Sequence, residues 1–110
     1  MAEGLRLENG VLAVPNRSHV TFPVPLVQLI DINDVIVVRG QGRERYYPGN
    51  IWGLSSEGAL LWRVTESWPL DSEFVEMELI NGKLIAFNFN GYRCVIDPWT
   101  GRLEERVFTK

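Results

Sequence analysis

Four short groups recur along this chain at one interval. Gly10-Val11-Leu12, Asp34-Val35-Ile36, Gly58-Ala59-Leu60 and Gly82-Lys83-Leu84 each begin 24 residues after the one before. In every group a turn-prone residue opens an apolar run. Reversals so regular and so close favour repeated β-hairpins over helices of ordinary length. The chain is therefore expected to be all-β, an antiparallel meander of about eight to ten short strands.

The local signals agree. Asn9-Gly10 joins Leu5–Glu8 to Val11–Val14, and Asn-Gly suits a two-residue turn whose central positions both need positive φ. Pro15, Pro23 and Pro25 each remove a ladder donor, which makes residues 15–25 loop or sheet edge. Leu26–Ile32 and Val35–Arg39 pair around Asn33-Asp34. Val35-Ile36-Val37-Val38 is apolar throughout, as expected of a central strand buried on both faces. A third hairpin runs from Asn50 to Thr65 around Ser55–Gly58. Phe74–Ile80 alternates Val75, Met77 and Leu79 against Glu76 and Glu78, which is period two. Asn81-Gly82, Asn90-Gly91 and the turn Asp97–Gly101 separate the remaining strands, the last being Arg102–Phe108.

Two segments share a more specific pattern. Leu54-Ser55-Ser56-Glu57-Gly58-Ala59-Leu60-Leu61-Trp62-Arg63 has an aliphatic residue, a polar turn, Gly, two aliphatics and Trp. Ile96-Asp97-Pro98-Trp99-Thr100-Gly101-Arg102-Leu103 carries an Asp…Thr-Gly turn, with Gly82–Phe87 as its upstream strand. Both resemble the repeat of quinoprotein-type (PQQ-like) β-propellers. The resemblance implies two blade-like four-stranded units, about Leu26–Thr65 and Phe74–Phe108. The second copy has Glu105 where the repeat has Trp. Propellers close with about four to eight blades, so quinone binding does not carry over to a two-unit chain. The ending, with its Asn-Gly-Tyr and Asp-Pro-x-Thr-Gly turns, is also similar to that of small bacterial proteins to which no activity is attached. Two such units can face each other as a sandwich or curl into a barrel. Val37, Leu60, Trp62, Met77, Leu79, Ile85, Phe87 and Ile96 are then expected on the inner faces.

Bulk properties narrow the function. The 110 residues are expected to form one domain, with a core small enough that self-association would be a natural supplement. A net charge of −3 disfavours nucleic acid and anionic membrane as partners. One cysteine, Cys94, and one histidine, His19, supply neither a disulfide nor a zinc set. No signal-peptide pattern and no membrane-spanning run is read from the sequence, so the expected setting is cytoplasmic. Phosphate-loop, dinucleotide, zincin and nucleophile-elbow motifs are missing, and no cofactor is expected.

The segment Arg39–Gly49 is read as the best site, an exposed loop in which Arg39, Arg43 and Arg45 join Tyr46 and Tyr47. Arginine and tyrosine together suit protein interfaces; the plainer reading is a solvated loop. Trp68 and Trp99, beside prolines in turns, are expected to stay partly exposed and mark a contact surface. Glu76 and Glu78 share a strand face and could work as an acidic pair, although such pairs need burial to split their pKa values. His19 could serve as a base, and Cys94 is expected in the core as a small hydrophobe. The resulting reading is a non-enzymatic interaction module that contacts a protein partner or a second copy. The alternatives are a β-barrel binding a small molecule, and a hydrolase or isomerase using the acidic pair.

Overall fold

Each of the four 24-residue groups opens the returning strand of a hairpin. In the computed structural model, which describes residues 5–14, 20–43, 47–64 and 73–109, the strands are β1 (Arg6–Glu8), β2 (Val11–Ala13), β3 (Leu26–Ile32), β4 (Val35–Gly40), β5 (Ile51–Ser55), β6 (Leu60–Arg63), β7 (Phe74–Ile80), β8 (Lys83–Asn88), β9 (Tyr92–Ile96) and β10 (Leu103–Phe108). The groups start β2, β4, β6 and β8. No helix occurs among the described residues, and so none there is long and apolar enough to cross a membrane. At Asn33-Asp34 both turn residues take positive φ, 46° and 74°, although neither is glycine. Asn and Asp tolerate this region better than other residues, which is why β3 and β4 join without a loop. Asn90-Gly91 behaves differently from the other Asn-Gly pairs. Only Gly91 has positive φ, at 93°, and its N–H returns to Asn88, so the reversal takes three residues.

All pairing is antiparallel, in the orders β1-β2, β3-β4-β5-β6 and β10-β9-β8-β7. The two four-stranded meanders pack face to face as a sandwich and do not close, so the barrel alternative is set aside. Between them lie Ile32, Val35, Val37, Ile51, Trp62 and Val64 from the first sheet and Phe74, Met77, Leu84, Ala86, Cys94 and Ile96 from the second. A second core covers the outer face of the first sheet. There Leu5, Leu12 and Val14 of the N-terminal hairpin segment meet Leu26, Ile36, Val38, Trp52 and Leu54. The hairpin is held down by an isolated bridge between Leu12 and Val20 and by the Leu26 N–H donating to Gly10. β4 is therefore buried at all six positions, as its unbroken apolar run requires.

Three expected inner-face residues, Leu60, Ile85 and Phe87, lie elsewhere, and a fourth, Leu79, stays on the inner face opposite Leu84 but is exposed at the sheet edge. Ile85 pairs with Val95 and Glu78, and Phe87 with Arg93 and Glu76, on the outward face of the second sheet. Leu84 and Ala86 point inward instead. A shift of one residue exchanges the faces of a strand, and an apolar run of four such as Leu84, Ile85, Ala86 and Phe87 does not announce which set is inside. Leu60 is 63% exposed and Leu79 45% exposed, because β6 and β7 are the outermost strands of their sheets. The expected Val37, Trp62, Met77 and Ile96 are all in the core.

Candidate functional site

The two faces of β6 and its neighbour β5 assemble the most distinctive surface of the molecule. Alternation along β5 sends Trp52 outward and Ile51 and Gly53 toward the inter-sheet core. On β6 the paired residues are Arg63 opposite Trp52 and Trp62 opposite Gly53. The outward Trp52 is the centre of an aromatic group. Phe22 meets it edge-on with ring centroids 4.9 Å apart, and Tyr47 lies at 6.3 Å. The Arg63 guanidinium stands 5.3 Å from the Tyr47 ring and 5.5 Å from the Trp52 ring. Its Nε donates to Gly49 at 2.7 Å and its Nη2 to Pro48 at 2.8 Å, which fixes the cation over the rings. Such a contact is worth roughly 0.5–1 kcal/mol at an exposed site. Beside it a groove of about 270 Å³ runs between Val20–Pro23 and Trp52, Leu54, Gly58 and Leu60.

The inward Trp62 works in the opposite direction. Its ring occupies the space where Cβ atoms on Gly53 and Gly101 would fall, 2.1 and 2.5 Å from ring atoms. Its indole N–H donates to Pro98 at 2.8 Å. Trp62 therefore anchors the Asp97–Gly101 turn of the second sheet against β6. Within that turn the Asp97 carboxylate accepts the Trp99 N–H and the Asp97 carbonyl accepts the Gly101 N–H. Trp99 is left 54% exposed, and on β6 Leu60 and Leu61 are 63% and 52% exposed. Leu61 is the extra residue of a bulge, since Gly53 pairs with Trp62 and Leu54 with Leu60.

Arg39 lies in neither surface. It is part of β4 and buried, not a residue of the exposed loop, because its register places it over the core beside Gln28 and Ile51. Its Nε donates to Gln28 Oε1 at 2.9 Å, while Nη1 finds no partner among the protein groups. Burial pulls it below the usual arginine value, and the charges of Glu76 and Glu73 oppose that shift. Around it the two sheets are stitched by side-chain amides. Asn50 donates to Gly40 and Phe74 carbonyls at 2.6 and 2.8 Å and accepts the Phe74 N–H at 2.9 Å. Gln28 donates to the Met77 carbonyl at 2.6 Å and accepts its N–H at 3.3 Å. Glu73, also buried, accepts the Gly42 N–H.

Of the other expected site residues, Arg43 is exposed at the rim of a second groove, about 280 Å³, formed by Asn9–Val11 and Thr21–Pro25. Tyr47 is half-buried against Trp52, and Trp99 is exposed as expected. Arg45, Tyr46, Trp68 and His19 lie outside the described residues. Glu76 and Glu78 share the outward face of the second sheet and are both exposed, so the burial an acidic pair needs is missing. Cys94 is fully buried. Among the described residues no group of three or more His, Cys, Asp or Glu could hold a metal ion. Phe22, Trp52, Leu61 and Arg63 are not among the expected site residues, and Leu60 is expected on an inner face. The available signal was Leu60-Leu61 beside an inward Trp62, since three apolar residues in a row can all be inside only on a strand covered on both faces, as β4 is.

The sequence profile described as "Domain of unknown function (DUF7957)" matches residues 4–108. The chain belongs to this family. The match runs from before β1 to the end of β10, so the DUF7957 domain comprises both meanders and the hairpin that covers the first. No curated protein matches the chain.

Proposed function

We propose that this domain is a non-enzymatic protein-interaction module whose contact surface is the flank of β6. The observation that carries the reading is the set Leu60, Leu61 and Trp99, all more than half exposed, beside an aromatic group capped by Arg63. Exposed large apolar residues clustered with Trp, Tyr and Arg are the composition of interface centres. Two grooves, about 280 and 270 Å³, fall below the roughly 300–1,000 Å³ range of ligand pockets. A third, about 390 Å³, is within that range, but its lining of Asp97, Arg102, Leu103 and Glu104 is mostly charged, where ligand pockets are mostly apolar. Size and lining together favour a protein partner over a small molecule. An enzymatic reading has less support, because Glu76 and Glu78 face solvent. Trp62 of one repeat-like motif sits on the Asp…Thr-Gly turn of the other, which supports reading the two sheets as neighbouring blade-like units. A cytoplasmic setting is in keeping with a reduced thiol, Cys94, in the core.

The test is position-specific photo-crosslinking in living cells. A photoreactive phenylalanine analogue at position 61 or 99 is expected to give a discrete protein adduct. The same group at 78, on the outward face of the second sheet, is expected to give none. Equal labelling at all three positions, or none at any, defeats the proposal.

A further inference from the structure

Asn-Gly suits a tight reversal, and it is also the pair most open to reaction with its own backbone. The nitrogen of the residue after Asn can attack the side-chain amide carbon, and glycine puts no side chain in the way. The chain has three such pairs, Asn9-Gly10, Asn81-Gly82 and Asn90-Gly91. In all three the asparagine is exposed. The fold makes them unequal, because ring closure requires the glycine nitrogen to give up its proton and swing toward the asparagine side chain. Gly91 is held at both of its polar groups. Its N–H donates to Asn88 at 3.1 Å, which keeps the proton in place, and its carbonyl accepts the Thr109 N–H at 2.8 Å and the Thr109 hydroxyl at 2.9 Å. Gly10 is held at one: its carbonyl accepts the Leu26 N–H at 2.8 Å. It also lies against Pro25, where a Cβ on Gly10 would come within 3.0 Å. Gly82 is exposed, and nothing lies within 4 Å of where its Cβ would be. Among the described residues no hydrogen bond engages its N–H or carbonyl.

We propose that Asn81 is a covalent modification site, deamidating and isomerising spontaneously while the fold protects Asn9 and Asn90. The Gly82 nitrogen loses its proton to solvent base and bonds to the Asn81 Cγ. The Cγ–Nδ2 bond then breaks, and the nitrogen leaves as ammonia. Water is the only co-reactant. It adds to either carbonyl of the five-membered imide and opens one ring C–N bond. Cutting the new bond leaves aspartate at position 81; cutting the original peptide bond leaves isoaspartate. No group is oxidised or reduced. Either product adds one negative charge to a chain whose net charge is −3. Isoaspartate also adds a backbone carbon to a two-residue turn in which both φ values, 51° and 77°, are positive, as the twist of the joined strands requires. The Ile80–Lys83 pair next to the turn is the first part of the β7–β8 ladder to be disturbed. The tip of this hairpin thereby carries a slow, irreversible change that marks the age of the molecule.

Peptide mapping by mass spectrometry tests this on the whole chain, kept folded at mildly alkaline pH beside the same chain in guanidinium chloride. The readout is the mass change of an amide becoming an acid, followed over time at each of the three positions. Having to open one backbone hydrogen bond before ring closure slows it roughly two- to tenfold. In the folded chain Asn81 is therefore expected to react first, Asn9 roughly two- to tenfold more slowly, and Asn90 last. In guanidinium chloride the three are expected to react at similar rates, because nothing then distinguishes their surroundings. Isoaspartate in the peptide carrying position 81 is expected to accept a methyl group from an isoaspartyl methyltransferase. Asn9 or Asn90 reacting in the folded chain as fast as Asn81 overturns the proposal. So does an Asn81 that stays intact in the folded chain while all three react in denaturant. An order of rates that persists unchanged in denaturant would place the cause in the sequence and not in the fold, and overturns it as well.

Discussion

Strands β6 and β7 are consecutive in the chain, and each is outermost in its sheet, yet they meet their surroundings in opposite ways. β7 is sealed by polar groups from the other sheet: the Asn50 and Gln28 amides reach across and behave as pieces of a neighbouring strand. β6 is fastened by an apolar side chain, Trp62, which points away from the edge and leaves Leu60 and Leu61 exposed along it. Both strands are held in place, but among the described residues only β7 has its outer backbone bonded by side chains of the other sheet. An edge is made inert by what the opposite sheet offers it, not by its own sequence alone. β7 carries more charge than β6 and is nonetheless the one that is sealed.

The comparison breaks first at Trp62. Trp62→Ala empties the space over Gly53 and Gly101 and removes the bond to Pro98. It is expected to cost about 3–5 kcal/mol, read as a fall in denaturant midpoint. The loss should free Trp99 as well, seen as a red shift and rise in accessibility of tryptophan fluorescence. Gly53→Ala attacks the same contact from the other side. A Cβ 2.1 Å from the Trp62 ring forces the indole to move, with an expected loss of about 1–3 kcal/mol.

The polar seal should break next. Asn50→Leu fills a similar volume but leaves the Phe74 N–H and two carbonyls without partners in a fully buried site. The expected cost is about 2–4 kcal/mol, from unsatisfied buried groups at about 1–3 kcal/mol each with partial relaxation. Gln28→Ala should cost less, about 1–2 kcal/mol, because Gln28 is only half-buried and water can replace part of what it supplies. If Gln28→Ala proved costlier than Asn50→Leu, its role in holding Arg39 Nε would outweigh its role on β7.

Much of the architecture was readable from residue order. The hairpins, the extent of both meanders and the two-sided burial of β4 follow from turn residues and from the unbroken run Val35–Val38. The facing of β8 was not readable, because Leu84, Ile85, Ala86 and Phe87 fit either side equally well. The site was harder. Arg39 looked like loop chemistry because Gly40 follows it, but strand β4 continues one residue further and carries the guanidinium into the core. Trp52 and Arg63 lie 11 positions apart and meet only through the β5–β6 register. The β1–β2 layer over the first sheet also escaped, since a three-residue strand such as Val11–Ala13 does not declare what it covers.

Amide hydrogen exchange gives the smallest perturbation and the sharpest contrast. It compares the two edges without changing any residue. Phe74 and Met77 donate their N–H groups to Asn50 and Gln28, so they should exchange only when the sheets separate. Their protection is then expected to approach that of the core strands, although β7 is an edge. Val64 donates to Ile51, so the Arg63 amide of the antiparallel ladder points away from β5 and should exchange through local fluctuation in dilute protein. A partner seated on the β6 flank raises its protection while that of Phe74 does not change. Protection of Arg63 that is already high in dilute protein would mean the edge is closed from within the chain. The two strands would then be sealed alike, and the contrast between them would be lost.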